Sequence, residues 1–106
     1  MRELPPYIVT ADELRAELAT ATAPVLLDVR EPEEFDEVHI EGCRLIPLGE
    51  ILTRVEKEMN KEDDIVVYCA HGVRSMHALR AMHQLGFKKL RSLNGGIAEW
   101  LGDPNF

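Results

Sequence analysis

The chain has 106 residues, 45 % of them apolar, and a formal net charge of −7. Apolar residues are spread along its length, which excludes a disordered composition and supplies one hydrophobic core. The acidic balance excludes nucleic acid as a general partner, since phosphate neutralisation needs a basic face.

The elements alternate in chain order. The segment 1–6 carries no apolar leader, so no secretory signal is expected. Tyr7-Ile8-Val9 predicts a short strand. Thr10 then caps a helix reaching about Ala19, with Glu13 three residues on as its capping-box partner. Val25-Leu26-Leu27-Asp28-Val29 is an apolar run bounded by turn signals, a buried strand. Glu31-Pro32-Glu33-Glu34-Phe35 starts a short helix, with proline near its first position and carboxylates in its first turn. Glu41-Gly42 marks a turn, and Arg44-Leu45-Ile46-Pro47 a strand stopped by proline. From Leu48 to about Asn60 the apolar positions share one helical face. Ile65-Val66-Val67-Tyr68 is the central strand, and a helix runs from Ser75 to about Leu85, with Gly86 placed as its C-terminal glycine. Leu90-Arg91-Ser92-Leu93 is the last strand, and a final helix covers Ile97 to about Leu101. Such alternation predicts an α/β fold, a mainly parallel central sheet flanked by helices on both faces. No run approaches the ~18 apolar residues of a membrane span, so no membrane partner is expected.

Candidate chemistry lies between the central strand and the helix after it. In Cys69-Ala70-His71-Gly72-Val73-Arg74-Ser75 a cysteine ends a buried strand in a tight loop that opens a helix. Ligands bind outside the carboxyl ends of strands in such sheets. Inward-pointing backbone N–H groups and the helix N-terminus favour a thiolate over a thiol. Arg74 adds a permanent positive charge. Ala70 and Val73 carry none, so the wall is expected to be neutral apart from His71 and Arg74. Two cysteines, Cys43 and Cys69, make no disulfide framework and suit a reducing cytoplasm. His71, His77 and His83 are spaced by six and do not share a helical face, so no metal site is expected.

The loop resembles the active-site loop of single-domain rhodaneses, the thiosulfate-type sulfurtransferases. Three further segments match that family in order: Leu27 to Phe35, His39 to Leu48, and Asn94-Gly95-Gly96-Ile97-Ala98-Glu99-Trp100. The similarity covers about residues 7–101 and implies a single rhodanese domain over 1–106. It implies that Cys69 attacks the outer sulfur of a donor such as thiosulfate and becomes a persulfide. An acceptor (cyanide, a thiol or a protein carrier) then removes that sulfur, with no cofactor and no metal. Residues Ala70, His71, Gly72, Val73, Arg74 and Ser75 would form the substrate-binding cradle. Arg74 either binds the donor or ties the loop to a carboxylate such as Asp28 or Glu31. Asp28 and Arg30 read as a supporting pair at the strand end, and His71 as an exposed residue shaping the entrance. Cys43 reads as a small filler, with a resolving thiol as the alternative, and His39 as a hydrogen-bonding residue of the turn before Gly42. Val38 stands where the family commonly has glycine. Trp100 is expected to pack the last helix on the core, and the acidic stretch from Glu56 to Asp64 to be a solvated face. Family members of this size occur as monomers and homodimers.

Two alternatives belong to other classes. One is a non-catalytic rhodanese-like binding or regulatory module; the presence of Cys69, Gly72, Arg74 and Ser75 disfavours it. The other is a cysteine phosphatase, whose loop is one residue longer than the four residues, 70–73, that separate Cys69 from Arg74 here.

Overall fold

The computed structural model describes residues 7–106; the expectation about a leader in 1–6 lies outside the described residues. Strands β1 (Ile8–Val9), β2 (Val25–Asp28), β3 (Arg44–Leu45), β4 (Asp64–Tyr68) and β5 (Lys89–Leu93) form one sheet in the order β1-β5-β4-β2-β3. Every pairing is parallel. Helices α1 (Ala11–Leu18), α2 (Pro32–Glu37), α3 (Ile51–Glu58) and α4 (Val73–Gln84) connect the strands, and α5 (Gly96–Leu101) follows β5. The α/β architecture read from the alternation is the one observed.

Strand β4 explains the two-sided core. Because both of its faces are covered, Ile65 to Tyr68 are all buried and apolar, without polar alternation. Successive side chains still point to opposite faces. Ile65 and Val67 therefore join a cluster with Ile51 and Val55 of α3 and Ala78, Leu79 and Met82 of α4. Val66 and Tyr68 join the other cluster, with Ala11 and Leu14 of α1 and Ile97 of α5. The same alternation sends the next residue, Cys69, to the α3–α4 side. Trp100 packs against the α1 side, as expected, under the Arg15 guanidinium at 4.2 Å.

Local signals act as read at several ends. The Thr10 hydroxyl accepts from the Glu13 amide at 3.1 Å, and the Glu13 carboxylate accepts from the Thr10 amide at 3.0 Å. After α4, Gly86 N–H donates to the His83 carbonyl and Phe87 N–H to the Met82 carbonyl, both at 3.1 Å, closing the helix in a Schellman motif.

Other boundaries move. The expected helix over 48–60 begins with a 3₁₀ turn, Leu48–Glu50, where Gly49 weakens α-helical winding, and ends at Glu58 because Met59 is extended. The strand expected to run from Arg44 to Pro47 stops at Leu45. Helix α4 starts at Val73, two residues before the expected Ser75. The acidic stretch is laced with ion pairs: Glu56 with Lys61 at 2.7 Å, Glu58 with Arg54 at 2.7 Å, and Asp64 with Arg91 at 3.1 Å. Among the described residues no helix is long and apolar enough to cross a membrane.

Candidate active site

Strand β4 delivers Cys69 at its carboxyl end, and the chain turns back into α4 within three residues. The turn needs Gly72, whose φ is +102°. Gly72 is the N-cap of α4 and has no side chain to satisfy the first-turn amides. The cysteine sulfur takes that place. Sγ accepts from Gly72 N–H at 3.2 Å and from Ser75 N–H at 3.3 Å. The Ser75 hydroxyl lies 3.5 Å from Sγ and 2.7 Å from the hydroxyl of Ser92, on β5.

The amides can face the sulfur because the carbonyls are held the other way. Helix α5 donates Ile97 N–H to the Cys69 carbonyl at 2.9 Å and Ala98 N–H to the Ala70 carbonyl at 3.1 Å. Backbones this close leave no room for a side chain between them. A Cβ on Gly96 would overlap the Ala70 carbonyl oxygen and come to 2.5 Å from the Cys69 carbonyl oxygen. Gly96 also has φ +65°.

Burial pushes the Cys69 thiol up. The Ser75 hydroxyl and the amides of Ser75, Gly72 and His71 more than offset it, so the thiol sits below its ordinary value. Cys69 is 1 % exposed, so its sulfur lies on the floor of the loop.

Arg74 does not pair with Asp28 or Glu31. It forms a two-pronged ion pair with Glu34 of α2, at 2.8 and 3.0 Å. That contact holds the Glu34 carboxyl down at about 2. Asp28 is unavailable because Arg30 takes it. Arg30 Nε donates to Asp28 at 3.0 Å, Nη2 at 2.8 Å, and the Arg30 amide at 2.9 Å. Nη2 also reaches the Val38 carbonyl at 2.7 Å. Both side chains are fully buried, and neither hydrogen-bonds to Cys69. They brace the end of β2, which pairs with the end of β4.

The remaining loop residues divide. His71 and Val73 are exposed, Val73 at 67 %, while Ala70 and Ser75 are buried. His71 stands edge-on to Phe106 and lines a cavity of about 470 Å³ with Gly95, Glu99, Asp103 and Phe106. Glu99 and Asp103 put two carboxylates in that cavity beside His71, and Ala70 and Val73 do not line it. His39 donates to or accepts from no residue of the Gly42 turn; its Nδ1 bonds the Phe35 carbonyl at 2.8 Å and its ring stacks on Phe35.

Cys43 belongs to the opposite face. Its Sγ lies 3.3 Å from the hydroxyl of Tyr68, which also accepts from Ile40 N–H at 3.0 Å. It packs on the α1 side of the sheet, whereas Cys69 lies on the α3–α4 side, which removes the resolving-thiol alternative. Burial raises the Cys43 thiol above its ordinary value.

Glu34 and Gly96 lie inside the family-like segments Leu27 to Phe35 and Asn94 to Trp100, which by themselves give neither residue a role, and Ser92 lies outside all four segments.

A cysteine cradled by amides at the carboxyl end of a parallel strand defines an α/β domain of the cysteine-loop class. Comparison with known proteins gives the family: residues 10–103 match the Rhodanese-like domain. The chain belongs to this rhodanese-like sulfurtransferase family. It is 44 % identical over 77 residues to the putative sulfur carrier protein YrkF of Bacillus subtilis, covering 73 % of this chain. It spans only 41 % of YrkF's length. It is 32 % identical to a sulfurtransferase of Allochromatium vinosum over 92 residues, covering 87 % of this chain and 85 % of the relative. The structure of the human single-domain sulfurtransferase TSTD1 superposes with a TM-score of 0.85 at 28 % identity, covering 93 % of this chain and 98 % of that one.

Proposed function

We propose that the protein moves a sulfane sulfur from thiosulfate or a related donor to a thiophilic acceptor through a persulfide on Cys69. One observation carries the proposal: two backbone amides point at Sγ, at 3.2 and 3.3 Å. In the first step the Cys69 thiolate attacks the outer sulfur of the donor. A sulfur–sulfur bond forms, the donor's own sulfur–sulfur bond breaks, and sulfite leaves with the electron pair. In the second step an acceptor nucleophile takes the outer sulfur, and Cys69 leaves as a thiolate. The amides that stabilise the thiolate also stabilise the persulfide, and one such donor in a dry site is worth about 3 kcal/mol.

The other loop residues have separate roles. Gly72 sets the turn and supplies a donor; Ser75 supplies an amide and a hydroxyl. Ala70 and His71 line the approach, and Val73 is an exposed apolar contact at the rim. Because Arg74 is engaged by Glu34, its main part is to brace the loop, with its charge acting on Cys69 at a distance. A sulfur on the floor of the loop suits a slim terminal sulfur atom better than a phosphoryl group with three oxygens. Asp28 and Arg30 support the strand ends. The acceptor approaches past His71, where Glu99 and Asp103 favour neutral or cationic thiols over anionic ones. A protein carrier is among the acceptors, and the YrkF likeness supports that class of partner. Cyanide and small thiols are others. A working thiol of this kind needs a reducing compartment such as the cytoplasm.

Mass spectrometry tests the proposal. After incubation with thiosulfate the wild type should gain the mass of one sulfur atom, removed again by cyanide, and Cys69→Ser should gain none. An unmodified wild type across several sulfane donors would favour the binding-module alternative.

A further inference from the structure

We propose that Ser92 is a positioning residue for the reacting sulfur: once that sulfur carries no proton, Ser92 on β5 donates to Ser75 and thereby turns the Ser75 hydroxyl proton onto Cys69. The inference rests on the Cys69 reading above and concerns which protonation state the site is built to hold.

The three side chains form a chain. Ser92 Oγ lies 2.7 Å from Ser75 Oγ, which lies 3.5 Å from Cys69 Sγ. All three residues are buried, at 2 %, 0 % and 1 % exposure. A hydroxyl has one proton to donate. The chain can therefore run in only two directions. In one, Ser92 donates to Ser75 and Ser75 donates to sulfur. Both hydroxyl protons find acceptors, and the sulfur receives a hydroxyl beside its two amides. In the other, which is how the contact is aligned for a neutral thiol, Cys69 Sγ–H donates to Ser75 Oγ at 3.5 Å and Ser75 donates to Ser92. The Ser92 proton then has no acceptor among the described residues, at a buried position where an unmet donor is costly.

The first direction requires a sulfur with no proton of its own. That condition is met by a thiolate before transfer and by the inner sulfur of a persulfide after it. The hydroxyl pair thus selects the working states by the number of protons it can place, and successive hydroxyls in a chain strengthen one another. The fall of the Cys69 thiol below its ordinary value, to which the Ser75 hydroxyl contributes, agrees with this direction. The charged groups around the sulfur are Arg74 with Glu34 and Glu31 across from it, and the loop also carries the imidazole of His71. Neither serine hydrogen-bonds to any of them, so a serine substitution leaves that field in place.

The experiment is a thiolate titration by ultraviolet absorbance in a Cys43→Ser background, without any sulfur donor. Ser92→Ala should raise the Cys69 pKa by about half a unit, a roughly threefold smaller thiolate fraction below it. Ser92→Thr should restore the parent value, and Ser92→Val, of the same shape without the hydroxyl, should not. That last pair keeps the contrast readable even where alanine weakens the fold. In a Ser75→Ala background, Ser92→Ala should have no further effect. An unchanged pKa would overturn the proposal. So would a lowered one, which means that Ser75 donates to Ser92 in the parent. A rise that persists without the Ser75 hydroxyl would overturn it too. A wild type that takes up no sulfur but shows the predicted shift sinks the persulfide reading and leaves the positioning role standing.

Discussion

The two cysteines of this chain are a controlled comparison. Tyr68 and Cys69 are consecutive, so their side chains leave β4 on opposite faces, and Cys43 sits against Tyr68 just as Cys69 sits in its loop. Both thiols are withdrawn from solvent, and withdrawal raises each of them. Their thiols nevertheless move in opposite directions. Cys43 has one phenol hydroxyl, itself poorly acidic because burial raises it. Cys69 has two amides aimed at its sulfur and the Ser75 hydroxyl within 3.5 Å of it. Burial alone opposes the thiolate, and the direction of nearby N–H groups decides whether that opposition is overcome.

The most severe way to break the contrast is Gly96→Ala. Its methyl group would press on the Cys69 and Ala70 carbonyls and force a left-handed conformation on alanine. Those carbonyls would turn, and with them the amides that face the sulfur. We expect a loss of about 2–4 kcal/mol by denaturant unfolding, and sulfur uptake abolished in the fraction that stays folded. Full uptake by a folded Gly96→Ala would show that the cradle does not depend on α5.

Next in size is the pH dependence of stability, where the cysteines should differ in sign. The Cys69 pKa is depressed by folding. Its contribution is therefore fully present above the unfolded value of about 8.5 and lost as pH falls through the folded value. The Cys43 pKa is raised, so its contribution is fully present below about 8.5 and lost as pH rises through the folded value. The stability of wild type over Cys69→Ser should thus grow with pH up to about 8.5, by about 1.4 kcal/mol for each tenfold by which folding strengthens the acidity of the thiol. The stability of wild type over Cys43→Ser should shrink above that pH. Unfolding midpoints of the three proteins across pH check both slopes, and parallel slopes would remove the distinction between the two environments.

How much of this was legible in the sequence follows the range of the interactions involved. The Thr10–Glu13 cap, the Gly86 stop and the Asp28–Arg30 pair depend on neighbours a few residues apart, and each was readable. The amide-cradled cysteine was readable because strand, cysteine, glycine and helix are contiguous. Arg74 was not paired correctly, since Glu34 is brought to it only by the docking of α2, 40 residues earlier. Ser92 left no local trace: it looks like any polar residue of a strand, and its importance lies in a hydroxyl 17 residues away. The carbonyl–amide contacts between the cysteine loop and α5 were signalled only by paired glycines, which mark many kinds of turn.

The smallest expected effect belongs to the Arg74–Glu34 pair. Arg74 and Glu34 are each about one-third exposed, so their pair contributes under ~1 kcal/mol to stability. That share is present above the ordinary carboxylate range and lost as pH falls toward about 2. Glu34→Gln removes the partner and leaves the Arg74 charge uncompensated beside the loop. If Arg74 acts on the sulfur through its field, the Cys69 pKa should fall by roughly a few tenths of a unit, and that of Cys43, on the other face of the sheet, should not move. Thiolate absorbance in single-cysteine backgrounds reads both. A rise at Cys69 would give the opposite answer: the ion pair serves to hold the amides in place, and the arginine works as a strut whose charge the sulfur does not feel.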